Sequence, residues 1–165
     1  MCLSFIKEGN TLPSGKKTAT DTWTLAKCIN PASIDNPMER MVAVNQVYRI
    51  DFNFESSNFS VYSLGGKQFL DFTVNDPRYG LSGTRNPAKA GVYLMPPKHK
   101  KKPQSHPLDK YKQFILSDSS YPKGANFMVG VSDGKKPDVW IGRDSPYSSY
   151  ANIDNFIWAL EKWNS

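Results

Sequence analysis

The sequence predicts an α+β fold: a strongly curved, meander-rich antiparallel β-sheet of about six to eight strands, with a C-terminal amphipathic helix and one or two shorter helices on one face. Two patterns lead to this prediction. Apolar and polar residues alternate over residues 42–54, which is typical of a strand with one face in the core. Near the C-terminus, apolar residues recur at helical spacing. The length of 165 residues predicts a single domain, 1–165.

The alternating segment opens a predicted meander. Its apolar residues occupy even positions and its polar residues odd ones, as at Ile50, Asp51 and Phe52. Further strands are predicted over residues 59–64 and 68–74, joined by Gly65 and Gly66 as a two-residue hairpin turn of type I′. Weaker strand signals cover residues 2–7 and 22–29.

The second half predicts fewer strands and more helix. Residues 76–91 are rich in Gly, Pro, Asn and Ser and predict a long exposed loop. Short strands are predicted over 91–95, 126–131 and 138–141. A helix is predicted from Ser105 onward, because Leu108, Tyr111 and Ile115 would share one face.

The strongest helix signal lies at the C-terminus. Asn152 is a suitable N-cap, Asp154 lies in the first turn and Lys162 in the last. The apolar stripe of this helix consists of Ile153, Phe156, Ile157 and Leu160.

This order of elements, a strand-rich meander with a helix followed by strand, turn, strand and helix, is similar to the layout of the Whirly and Pur-type single-strand-binding proteins. The similarity covers residues 42–163 and concerns the layout alone, with no signature residue matched. It implies a curved sheet that binds single-stranded nucleic acid.

Charge is distributed unevenly along the chain. Residues 1–83 contain 8 basic and 8 acidic residues, whereas residues 84–165 contain 13 basic and 7 acidic residues. Residues 78–136 alone contain 12 basic and 3 acidic residues, a local charge of 12 − 3 = +9. Concentrated positive charge indicates a site that meets a polyanion.

We therefore predict a non-enzymatic protein that binds single-stranded DNA or RNA. Lysines neutralise phosphates, and tyrosine rings stack on unpaired bases. Prolines bracket a basic loop, 96–107, which should be extended and flexible. The predicted phosphate-contacting and stacking residues are Arg78, Tyr79, Arg85, Lys89, Tyr93, Lys98, Lys100, Lys101, Lys102, Tyr111 and Lys112.

Two alternatives remain open. The first is a protein-interaction module, an inhibitor or adaptor that docks its basic loops on an acidic partner. The second is a metal-dependent nuclease, since Asp51, Glu55 and Asp71 should share the polar face of the meander, where carboxylates can bind Mg²⁺. A solvated lysine loop without a partner would explain the basic run equally well.

Other classes of site find little support. Both histidines, His99 and His106, lie in the basic loop, which cannot hold a catalytic base in fixed geometry. No metal-binding or nucleotide-binding motif appears, so we expect neither a metal nor a cofactor. Cys2 and Cys28 are too few for a disulfide framework and indicate a reducing compartment. With no membrane-spanning stretch, we expect a soluble intracellular protein of the cytoplasm or nucleus; the oligomeric state is not predicted.

Overall fold

The fold is all-β in the part of the chain that the structure describes. The computed structural model describes residues 1–12, 15–29, 37, 43–53, 58–75, 78–87, 90–95, 113–118, 126–132, 135, 137–144 and 153–162. The strands in these ranges are β1 (Cys2–Ile6), β2 (Thr22–Ala26), β3 (Tyr48–Asn53), β4 (Asn58–Ser63), β5 (Gln68–Asn75), β6 (Arg78–Thr84), β7 (Tyr93–Met95), β8 (Gln113–Ser117), β9 (Asn126–Val131), β10 (Val139–Asp144) and β11 (Ile157–Ala159).

Nine of these strands form one antiparallel sheet. Its order is β10-β9-β8-β7-β4-β5-β6, with β3 paired to β4 and β11 paired to β8. The remaining two strands, β1 and β2, form a separate antiparallel hairpin. The predicted curved antiparallel sheet is therefore confirmed, with more strands than expected.

The hairpin closes the open side of the curved sheet. Strand β2 contacts both β6 and β10, which are the two terminal strands of the sheet order. The sheet must therefore curl until its two ends approach the same strand, which makes it a half-barrel. Side chains from the hairpin and from the inner face of the sheet form a single core cluster: Leu3, Phe5, Trp23, Phe59, Val61, Leu70, Val92, Leu94, Phe114, Leu116 and Val129.

The strand predicted over 42–54 starts later than its alternation suggests. Ala43 and Val44 are helical, and a turn follows in which Gln46 N–H donates to the Ala43 carbonyl at 2.9 Å. Val44, predicted to face the core, is exposed. The alternation continues into β3, where Ile50 and Phe52 pack against the core as predicted.

The turn between β4 and β5 also differs from the prediction. Four residues, 64–67, separate the paired residues Ser63 and Gln68. Neither glycine of this loop has a positive φ; the left-handed residue is Lys67, at φ 54°. The prediction of a two-residue type I′ turn is therefore wrong. Gly66 is required for another reason, because a Cβ there would stand 2.4 Å from Cε1 of Phe5.

The predicted C-terminal amphipathic helix is wrong. A 3-10 turn, Ile153–Phe156, is followed directly by strand β11. Strand β9 pairs with only the C-terminal part of β8, which leaves the first residues of that edge free for β11. The edge thus provides backbone partners for residues of high β propensity, and tertiary pairing overrides the helical spacing. Leu160, predicted to belong to the buried stripe, is exposed.

Two further expectations of the second half fail. Residues 78–84, predicted as loop, form β6, which pairs with β5 along its whole length. Ile115, predicted on a helix face, lies in β8 and is fully buried. Residues 105–112 of that predicted helix lie outside the described ranges. The prediction of one or two shorter helices on one face of the sheet is wrong, since no helix of seven or more residues occurs in the described ranges.

Cys2 and Cys28 form a disulfide, with their Cα atoms 5.0 Å apart. The bond ties the start of β1 to the segment that follows β2. Gln46 holds the same segment, because its side-chain amide donates to the Lys27 carbonyl at 2.9 Å and its Oε1 accepts from Ile29 N–H at 3.1 Å. The interpretation of the two thiols as unpaired is therefore wrong. No helix in the described ranges has the length and apolar character needed to cross a bilayer.

Candidate nucleic-acid interface

The lysine-rich segment is attached to one end of the sheet. Strand β7 ends at Met95 and strand β8 begins at Gln113, and these strand ends are neighbours because Met95 pairs with Ile115; the lysine-rich segment, residues 96–112, connects them in the sequence. Strand β6 begins at the same end with Arg78, which pairs with the last residue of β5. The topology therefore attaches the lysine-rich segment and Arg78 to a common end of the half-barrel.

Arg85 lies at the opposite end. It follows the last residue of β6 and is exposed. It is seven positions along the chain from Arg78, which corresponds to about 24 Å along an extended strand. The exposed Lys67 belongs to this second end, since it precedes β5 in the loop that adjoins the end of β6. The predicted cations are thus attached to two ends of one sheet.

Tyr93 is not available as a stacking surface. It lies in β7 at 6% exposure, between its cross-strand neighbours Ser60 and Ser117. Both serines are buried as well, so this stretch of the sheet face is closed to solvent. A ring in this position stabilises the sheet and cannot receive a base from solution. A tyrosine in the sequence is compatible with a buried strand position and with an exposed stacking surface, and only its burial in the structure distinguishes the two roles.

Several predicted residues lie outside the described ranges: Lys89, Lys98, Lys100, Lys101, Lys102, Tyr111 and Lys112, together with the rest of the basic loop 96–107. For Arg78 and Tyr79 the structure describes the backbone, which places them at the start of β6. Their role in binding stays a prediction.

The carboxylates of the nuclease alternative are engaged in other contacts where the structure describes them. Asp51 binds the guanidinium of Arg49, with Nη2 and Oδ2 2.8 Å apart. Asp71 accepts hydrogen bonds from the backbone N–H groups of Gly91 and Phe72. Burial nevertheless raises the pKa of Asp71 above its ordinary value. Glu55 lies outside the described ranges, within which no group of three or more potential metal ligands occurs.

Arg49, a cation on the sheet that was not among the predicted binding residues, is held by specific side-chain contacts. Arg49 lies in β3 directly opposite Tyr62 in β4, and its guanidinium carbon is 4.2 Å from the centroid of the tyrosine ring. Arg49 Nε donates to Asp51 Oδ1 at 2.9 Å, and Tyr62 packs edge-on against Phe69, with the ring centroids 5.0 Å apart. The hydrogen bonds to Asp51 raise the pKa of Arg49 further, so the group stays charged.

The signal for this cluster was present in the sequence. The alternation that places Ile50 and Phe52 in the core places Arg49 and Asp51 together on the outer face, two residues apart. What the sequence lacks is the register that brings Tyr62 opposite Arg49. Charge counting also overlooked the pair, because its net charge is zero.

We compared the chain with protein-family models, with curated proteins and with solved structures, and none of them matches it.

Proposed function

We propose that this protein binds single-stranded nucleic acid without catalysing a reaction on it. The observation that carries the proposal is the charge of residues 78–136, which contain 12 basic residues and only 3 acidic ones. Charge spread over the surface would serve solubility equally well, whereas charge confined to one segment serves a polyanion. Attachment of the lysine-rich segment beside Arg78, at one end of the half-barrel, supports a shared surface.

The proposal assigns phosphate contacts to the basic residues of that segment and to Arg78, Arg85 and Lys89. Stacking is assigned to Tyr79 and Tyr111, while the buried Tyr93 is left out. Phosphate contacts carry no sequence information, so binding should be similar for strands of different sequence. If about five phosphates are neutralised, log K should fall with log salt at a slope near −3.5.

Filter binding with labelled single-stranded DNA and RNA at two salt concentrations tests this function. Replacing the four lysines at 98, 100, 101 and 102 by Ala should reduce the salt slope by about 2.8, at about 0.7 for each phosphate contact. The matched control replaces four exposed lysines of the first 27 residues by Ala: Lys7, Lys16, Lys17 and Lys27.

The control has the same net charge as the test variant, so it should leave the slope unchanged if binding is local. Equal effects of both variants would mean that net charge alone drives the association. Failure of the parent protein to bind either strand at low salt would overturn the proposed function.

A second candidate function is a module that docks its basic surface on an acidic protein partner. The Cys2–Cys28 disulfide favours it, because disulfides persist mainly in oxidising compartments, where protein partners are more common than free nucleic acid. Polyglutamate offered as a competitor distinguishes the two. Polyglutamate should displace the nucleic-acid strand only weakly if base stacking and contacts along the phosphate backbone contribute to binding. It should displace the strand stoichiometrically if the protein recognises negative charge alone.

The disulfide bears on the compartment as well. The prediction of the cytoplasm or nucleus depends partly on unpaired thiols, whereas Cys2 and Cys28 are bonded to each other. We infer instead an oxidising compartment. Alkylation of the protein from its natural source, followed by mass measurement, tests this inference: a disulfide protects both thiols from the reagent until a reductant is added.

A further inference from the structure

We propose that Arg49, supported by Tyr62, is a stacking site for one unpaired nucleobase, an inference that rests on the proposed function. The guanidinium carbon lies over the ring of Tyr62, 4.2 Å from the ring centroid, so the ring covers part of the group. The Arg49 side chain is nevertheless 54% exposed. The part of the side chain that the ring does not cover is therefore open to a ligand from solution.

Asp51 fixes the orientation of that plane. It accepts from Nε and from Nη2 of Arg49 in a two-pronged contact, at 2.9 and 2.8 Å. An arginine side chain free in solution has many rotamers, and a ligand must immobilise it on binding. Here the protein has immobilised the side chain already, which favours a flat ligand that needs a fixed flat surface.

The charge of the site indicates a base and argues against a phosphate alone. Asp51 offsets the positive charge of Arg49, so the pair attracts a free anion weakly. A planar, polarisable ring gains from stacking on a guanidinium plane even when the charge is balanced. Arg49 Nη1 takes no part in the Asp51 contact, and it can donate to the edge of a base.

Two neighbouring cations lie on one side of Arg49, toward β5 and β6, where they can hold the strand next to the base. Arg49, Tyr62, Phe69 and Thr84 form one row across four adjacent strands, on the same face of the sheet. The row ends beside Arg85, and the loop carrying Lys67 lies next to it. Both cations are exposed, so phosphates flanking the stacked base have partners at this end of the sheet.

The decisive variant is Arg49→Lys, which keeps the charge and removes the plane. We measure its affinity for a thymidine 12-mer and for an abasic 12-mer with the same backbone, at two salt concentrations. Affinity for the thymidine strand should fall about tenfold, within the range measured for loss of one stacked base. Affinity for the abasic strand should stay within about twofold, and the salt slope should not change because no phosphate contact is lost.

Two variants serve as controls. Tyr62→Phe keeps the supporting ring and should bind both strands like the parent, whereas Tyr62→Leu should reproduce the effect of Arg49→Lys. Arg85→Gln removes a phosphate contact, so it should weaken both strands alike and reduce the salt slope by about 0.7. Thermal melting of each variant establishes that it is folded at the assay temperature.

Two outcomes would overturn the stacking site while the proposed function stands. One is unchanged thymidine binding by Arg49→Lys under conditions in which replacing the lysines of the basic segment weakens binding. The other is an equal loss on both strands, which would mean that Arg49 contacts the backbone or an acidic group. If the parent bound neither strand, the proposed function and this inference would fail together.

Discussion

The ring of Phe5 lies directly against the backbone of Gly66. A Cβ built on this glycine would stand 2.4 Å from Cε1 and 2.5 Å from Cδ1 of the ring. Both distances are too short for carbon atoms that are not bonded, so a methyl group does not fit. Phe5 is fully buried in β1, and Gly66 belongs to the loop between β4 and β5. This contact joins the N-terminal hairpin to the main sheet, so the closure of the half-barrel depends on a glycine in a loop.

The Phe5–Gly66 contact predicts that Gly66→Ala destabilises the protein by about 1–3 kcal/mol, the range found for overpacked cores. The ring is enclosed by the core and has little freedom to move away. Urea unfolding followed by tryptophan fluorescence measures the change. Phe5→Leu provides the control, because a smaller side chain leaves room for the methyl group. In a double-mutant cycle, Gly66→Ala should then reduce the unfolding free energy less in the Phe5→Leu variant than in the parent. Strictly additive effects of the two substitutions would contradict the contact.

Lys67→Gly should stabilise the protein by about 0.5–1 kcal/mol. Lys67 has φ 54°, a conformation that is costly for a side chain with Cβ and free of strain for glycine. The added flexibility of glycine in the unfolded chain reduces the gain. Lys67→Ala is the matched control: it removes the same charge and keeps the strain, so its midpoint of unfolding should not rise. A gain of equal size in both variants would attribute the effect to charge.

Loss of the Cys2–Cys28 disulfide should destabilise the protein by about 3 kcal/mol. The bond closes a loop with a sequence separation of 26, and a loop of this length restricts the unfolded chain to about that extent. The double variant Cys2→Ser, Cys28→Ser is compared with the parent by urea unfolding, with and without dithiothreitol. The reductant should shift the parent towards the variant and leave the variant unchanged. Identical midpoints for oxidised and reduced parent would show that the bond contributes nothing.

Asp71 predicts an unusual pH dependence. Its folded pKa is raised by burial, so the folded state favours the protonated form. Stability from this group is therefore fully present below the unfolded pKa of about 3.9 and is lost as pH rises through the folded pKa. Asp71→Asn cannot ionise and should remove this loss. The difference in unfolding free energy between variant and parent should thus grow in favour of Asn from pH 3.5 to pH 7.

The matched control for this pH series is Asp51→Asn, which removes a half-buried carboxylate that is paired with Arg49. The pH effect is assigned to the burial of Asp71, so Asp51→Asn should not reproduce the gain of Asp71→Asn. A parallel course of the two variants between pH 3.5 and pH 7 would contradict the role of burial at Asp71.

Strands with clear alternation could be predicted from the sequence. The alternate apolar positions of β3, β4 and β5 face the core, where Ile50, Phe59, Val61 and Leu70 lie in or against the main cluster, although Phe69 beside Leu70 is buried as well. Period-two alternation reports directly which residues are buried, because successive side chains in a strand point to opposite faces. Most of the meander could be inferred for this reason without knowledge of its partners.

The C-terminal segment shows where this reasoning ends. Phe156 and Ile157 belong to a stripe with helical spacing, yet one ends a 3-10 turn and the other begins β11. Trp158, outside that stripe, packs against the core and donates from Nε1 to the Val129 carbonyl at 2.8 Å. These contacts exist only because β8 has a free edge nearby, and an edge strand is created by distant parts of the chain.

The candidate site divides in the same way. Its net positive charge could be read from composition, and so could the presence of Arg49 and Asp51 on one outer face. The burial of Tyr93 and the stacking of Arg49 on Tyr62 depend on register between strands, which no local pattern contains.

By itself, the sequence determined that this chain forms a curved antiparallel sheet and that its positive charge is concentrated in one segment, because alternation and charge are properties of neighbouring residues. The tertiary structure alone decided that Cys2 bonds to Cys28, that the C-terminal segment becomes a strand, and that Arg49 lies over the ring of Tyr62. Each of these depends on contacts between residues that are not neighbours in the sequence, and such contacts are selected only when the strands pair in one register.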